Sequence, residues 1–95
     1  MSGPEEPADP ELVSVPLGDS FDLHSFLPAD VPSAVSEYLD AIRGRFREVR
    51  LVHGRGIGVQ REIVRAVLSR RDDVADFFDA PAERGGWGAT VVVFR

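Results

Sequence analysis

The chain contains two histidines, His24 and His53, and each sits in a run of residues suited to chemistry. Asp22-Leu23-His24 sets a carboxyl and an imidazole two positions apart. In a strand, residues i and i+2 leave the same face, so this pair is expected to project together. His53-Gly54-Arg55-Gly56-Ile57-Gly58 puts the second imidazole ahead of alternating glycines with an arginine among them. Glycines admit positive φ and let a ligand come close to the backbone. A helix starting just beyond them offers unpaired N–H groups and a partial positive charge to a phosphate oxygen. The chemistry this suggests is acid–base catalysis at a phosphodiester. His24 and His53 would exchange protons, with Asp22 orienting one imidazole. Gly54, Arg55, Gly56 and Gly58, with Arg61 and Arg65 from the helix that follows, would hold the phosphate. Plainer readings stay open: a tight strand-to-helix connection uses the same glycines, and a histidine is often structural. The loop is not the dinucleotide fingerprint, because Val59 stands where a glycine is required, and it lacks the G-K-[ST] ending of a P-loop. Asp22, His24 and His53 could also ligate a divalent metal, an unspecific pattern. No small-molecule cofactor is indicated.

These residues need a scaffold that brings distant runs to one edge. Phe21 to His24 alternates apolar and polar and reads as a strand. Asp30 is an N-cap candidate for a helix whose apolar stripe is Val31, Val35, Tyr38, Leu39 and Ile42, with Pro32 tolerated in its first turn and Gly44 near its end. Glu48 to His53 is a second strand. Val59 to Ser69 is a second helix, with Ile63, Val64, Val67 and Leu68 on its apolar face. Val74 to Ala80 is a third strand, stopped by Pro81. Gly85-Gly86 turns the chain into Ala89–Phe94, a β-branched run. The order β-α-β-α-β-β predicts an α/β two-layer sandwich on a mixed four-stranded sheet. The first two strands would be parallel and the last two antiparallel, with both helices on one face or one on each. Asp22, His24 and His53 then meet at the carboxyl edge, where open α/β sheets bind ligands. Trp87 is read as packing beside Phe77, Phe78 and Phe94, with stacking on a base as the alternative.

Composition narrows the classes. The 95 residues suit one domain, and the absence of cysteine excludes disulfide scaffolds, iron–sulfur sites and thiol nucleophiles. No apolar run is long enough to span a bilayer, and the acidic start is neither signal nor transit peptide, so a cytoplasmic protein without a membrane partner is expected. Residues 1–16 carry four acidic groups and no basic one and are read as a flexible tail, with Leu12–Leu17 as an edge strand or extended lead-in to a domain over 17–95. The net charge of −5 hides a strong asymmetry: residues 41–71 hold nine arginines against Glu48 and Glu62, a net of +7. All 11 basic residues are arginine, whose planar fork grips phosphate in a bidentate way. Oligomeric state leaves no mark in the sequence.

The chain resembles the Smr (small MutS-related) domain. The likeness runs from about Phe21 to Arg95. It rests on the D-L-H run Asp22-Leu23-His24, the H-G-x-G-x-G loop His53–Gly58, and the late segment Gly85-Gly86-Trp87-Gly88-Ala89-Thr90-Val91, in that order. Ser25 stands where many members have glycine after the first histidine, and Arg55 where many have lysine. The resemblance implies a fold similar to the C-terminal domain of bacterial translation initiation factor three. It also implies binding to DNA or RNA and, in many members, nicking or cleavage, here by a stand-alone module. The expectation is an endonuclease for structured DNA or RNA that uses Asp22, His24 and His53. A non-catalytic nucleic-acid-binding module is the alternative.

Overall fold

The computed structural model describes residues 18–56 and 58–95. The readings of residues 1–16 as a tail and of Leu12–Leu17 as a strand or lead-in lie outside the described residues.

The elements in order are β1 (Ser20–Asp22), α1 (Val31–Ile42), β2 (Glu48–Val52), α2 (Val59–Ser69), β3 (Val74–Asp79) and β4 (Ala89–Phe94). Short 3-10 turns precede α1 and precede β4. The expected α/β class and element order are present. The sheet runs β1-β2-β4-β3, with β1 parallel to β2 and β4 antiparallel to both its neighbours.

Alternation along the central strands decides where the helices go. Val49 and Leu51 of β2 and Val92 of β4 join one core with Val31, Val35, Tyr38, Leu39 and Ile42 of α1 and Val64 and Leu68 of α2. Ala89 and Val91 of β4 form a second cluster with Ala80, Val52 and Val93. Both helices therefore cover the same face, which settles the alternative left open by the sequence. The whole predicted stripe of α1 is buried, and each large side chain there contributes roughly 1.5–3 kcal/mol. The Tyr38 hydroxyl bonds the Gly18 carbonyl at 2.6 Å, and burial pushes its pKa up to about 12.

Three local expectations are corrected. β1 stops at Asp22, so His24 is a turn residue and not a strand residue. Asp30 stands at the start of α1, but a 3-10 turn (Pro28–Asp30) runs straight into the helix and its carboxyl caps no amide. Trp87 joins neither core cluster and is 43% exposed. A register shift between Val74 and Asp76 turns β3 over part-way along. Val74 and Phe77 both reach the helix-side core as a result, and Asp79 follows on that face.

Candidate active site

Parallel pairing of β1 and β2 brings their carboxyl ends to one edge, in the register Asp22 with Val52. Leu23 extends the pairing through its N–H to the Val52 carbonyl at 2.6 Å and buries its side chain in the core. The chain then turns. Asp22 Oδ1 accepts the His24 backbone N–H at 2.9 Å and the His24 ring Nδ1–H at 2.6 Å. The carboxylate and the imidazole meet through this turn, not through the pleat. The backbone amide of His24, helped by its ring, holds the Asp22 carboxyl below its ordinary value, so it is ionised and only accepts. Nδ1 of His24 is thereby the donor, and in the neutral ring Nε2 is left with a lone pair.

His53 is built differently. It lies 3% exposed just beyond β2. Its Nδ1–H donates to the Gly54 carbonyl at 3.0 Å, and its Nε2 accepts the Thr90 hydroxyl at 2.8 Å. Burial above all lowers its pKa, with the nearby Arg61 charge adding to the effect. The ring is neutral, and both its nitrogens are occupied.

The glycine loop and the late Gly85–Gly88 turn interlock. The Gly88 carbonyl accepts the N–H of His53 at 3.0 Å and of Gly54 at 2.9 Å. The Gly54 amide is thus committed to the protein itself. Gly54 has φ +83°, and a β-carbon there would stand 3.5 Å from the His24 Cβ, so the two histidine segments are in contact. Arg55 lies across the late glycines. A β-carbon on Gly86 would fall 2.8 Å from its Nη2, and one on Gly88 3.0 Å from its Cγ. Gly58, also at φ +83°, is the N-cap of α2, and the first helical bond runs from Glu62 N–H to its carbonyl. The amides of Val59, Gln60 and Arg61 have no intrahelical acceptor. The Gln60 side chain donates to the Phe26 carbonyl, tying the start of α2 to the loop after His24.

The product is a cleft of about 430 Å³. His24, His53, Gly54, Arg55, Gly56 and Gly58 line it, and Pro28, Val59 and Gln60 complete its wall. Two expected phosphate ligands lie elsewhere. Arg61 grips Asp79 through Nη2 at 2.9 and 3.0 Å, and Arg65 Nη2 reaches the same carboxylate at 2.7 Å. Arg61 also sits 5.9 Å from the Trp87 ring centroid, and Arg65 5.5 Å from that of Phe77. The Arg61 bond is foremost in holding the Asp79 carboxyl below its ordinary value. Much of the basic stretch is paired in this way: Arg43 with Asp73, and Arg71 with Asp40 and Asp73. Among the described residues, Arg55 makes no ion pair. No three His, Asp or Glu side chains among them converge as metal ligands, so Asp22, His24 and His53 do not form such a set.

A family model, the Smr domain, matches residues 21–95. The chain belongs to the Smr domain family. The endonuclease MutS2 of Thermus thermophilus is 37% identical over 75 residues, 78% of this chain and 10% of that protein. The endonuclease MutS2 of Enterococcus faecalis is 31% identical over 99 residues, 97% of this chain and 13% of that protein. The Smr domain thus spans about a tenth of the length of the curated relatives it matches. The crystal structure of the Smr domain of Thermus thermophilus MutS2 superposes with a TM-score of 0.77 at 35% identity, covering 82% of this chain and 99% of that one. YdaL, a stand-alone small MutS-related protein from Escherichia coli, gives 0.76 at 25% identity, covering 90% and 70%.

Sequence reasoning about this Smr domain quoted Gly88 and Thr90 in a motif without giving them a role at His53, and did not see that Asp79 holds Arg61 and Arg65 away from the cleft. A threonine inside the otherwise apolar run Ala89–Phe94 is the signal that a buried polar partner exists. No helix among the described residues is long and apolar enough to cross a membrane.

Proposed function

We propose that this Smr domain binds structured DNA or RNA in the His24–His53 cleft and cleaves its phosphodiester backbone. One observation carries the reading. The exposed His24 imidazole is fixed through Nδ1 by an ionised carboxylate, which leaves Nε2 for proton transfer beside a cleft with a free arginine and a helix N-terminus. In this reading Nε2 of His24 takes the proton of the attacking water or 2′-hydroxyl as the new O–P bond forms. The leaving oxygen departs with the old bond's electron pair and is protonated by the imidazolium or by solvent. Arg55 and the first amides of α2 stabilise the charge that builds on phosphorus-bound oxygen. His53 is a positioning residue: its bonds to Gly54 and Thr90 fix the loop on β4. The likeness to relatives named as endonucleases supports the class of reaction.

The test is nicking of supercoiled and branched DNA and cleavage of RNA, with and without chelator. Wild type is compared with His24→Ala and Asp22→Asn. His24→Ala should slow cleavage by about 10²–10⁴-fold while binding persists. Asp22→Asn, which removes the orienting charge, should slow it less. Equal rates in wild type and His24→Ala would refute the assignment. Binding without product on every substrate would leave a non-catalytic nucleic-acid-binding module.

A further inference from the structure

The turn between α1 and β2 lies at the opposite end of the sheet from the cleft. β2 starts beside that turn and ends at Val52, next to His53, so its five residues separate the two regions by about 16 Å. Gly44, Arg45, Phe46 and Arg47, with Phe94 and Arg95, enclose a second shallow cleft of about 380 Å³. The segment is pinned at both ends. Arg45 N–H bonds the Ile42 carbonyl at 3.0 Å, Phe46 bridges to Arg43, and Phe94 N–H bonds the Arg47 carbonyl at 3.0 Å. The backbone of such a segment needs little further ordering on binding.

Phe46 is 37% exposed and joins neither core cluster. Among the described residues, neither Arg45 nor Arg47 makes an ion pair. Glu48, next to Arg47 in the chain, faces Arg84, and no Asp or Glu lines this cleft. An aromatic ring flanked by two uncompensated guanidiniums matches the needs of a single strand, whose bases stack and whose phosphates take arginine forks. An acidic peptide would use the charges and leave the ring idle. An anionic membrane calls for larger basic clusters, of about four to eight residues.

We propose that Arg45-Phe46-Arg47 is a second contact for single-stranded nucleic acid, with a base stacked on Phe46 and phosphates held by Arg45 and Arg47. It rests on the nucleic-acid reading of the first cleft. A strand engaged at both points binds more tightly than at either alone, because the second contact forms within the complex.

The experiment is fluorescence anisotropy of a labelled oligothymidylate with the full chain, across a salt series. Phe46→Ala should weaken binding at least about five-fold, and Phe46→Tyr should restore it. The double variant Arg45→Ala/Arg47→Ala should flatten the slope of log K against log salt by about 1.4. Arg55→Ala reports the first cleft separately. If Arg55→Ala loses affinity while the Phe46 and Arg45/Arg47 variants bind like wild type, the second contact is overturned and the first cleft stands. If the arginines matter and Phe46→Ala does not, the stacking assignment is overturned. Phosphatidylserine vesicles that need Arg45, Phe46 and Arg47, with oligonucleotide binding unchanged in the variants, would overturn it in favour of a membrane. No binding by wild type at low salt would overturn the nucleic-acid reading itself.

Discussion

Lowering the pH from about 7.5 to about 5.5 should weaken this protein through His53. The ring is 3% exposed, and burial holds its pKa below the ordinary 6.5. In the unfolded chain His53 takes a proton near that ordinary value, whereas in the native state it resists. The unfolded state then binds more protons, so stability is present above 6.5 and is lost as the pH falls through it. Over those two pH units the loss reaches about 1.4 kcal/mol if the native ring stays neutral throughout. For a domain of this size that ceiling lowers the melting temperature by at most about 6–11 °C. Gln at position 53 supplies a donor for the Gly54 carbonyl and an acceptor for the Thr90 hydroxyl but does not titrate. The measurement is thermal melting of wild type and His53→Gln at several pH values across this range. His24 is present in both proteins and cancels in the comparison. Asp22, Asp73 and Asp79 have pKa values lowered from 3.8, so their contributions fail only at more acidic pH. Identical pH slopes in the two proteins would refute the sealed, neutral His53.

Two further perturbations probe the cleft's surroundings. Asp79→Asn removes the carboxylate shared by Arg61 and Arg65, so nucleic-acid binding should tighten and its salt slope steepen by up to about 1.4–1.8 in a salt titration. Gly86→Ala puts a β-carbon at φ +57° and 2.8 Å from Arg55 Nη2. It should cost roughly 1–2 kcal/mol in a denaturant melt and weaken binding together with Arg55; full stability with unaltered binding would contradict the seat described for that arginine.

What could be read from the sequence follows from the range of the interactions. The α1 stripe, the span of α2 and the run Ala89–Phe94 are local patterns, and each matches its element. Asp22 and His24 were legible as a pair because two residues separate them, although a turn and not a strand joins them. The contact of Arg61 and Arg65 with Asp79 was not legible. It depends on the shifted register of β3, which sets Asp79 on the helix side. The partner of His53 was hidden for a similar reason: Thr90 reaches it only because β4 pairs with β2 in the register Val52 with Ala89. Charge sums over a stretch of chain likewise cannot show which arginines remain free after folding. Here Arg43, Arg61, Arg65 and Arg71 are matched by acids from distant segments.

One of the two inner strands of the sheet, β4, follows every other element in chain order. Until β4 arrives, β3 has no neighbour and β2 has only β1, and the Gly88 carbonyl just ahead of β4 is what secures the His53–Gly54 backbone. A nascent chain therefore holds the two halves of its future cleft apart for nearly the whole of its synthesis. A product that stops short of Gly85 should lack the cleft as well as the fold.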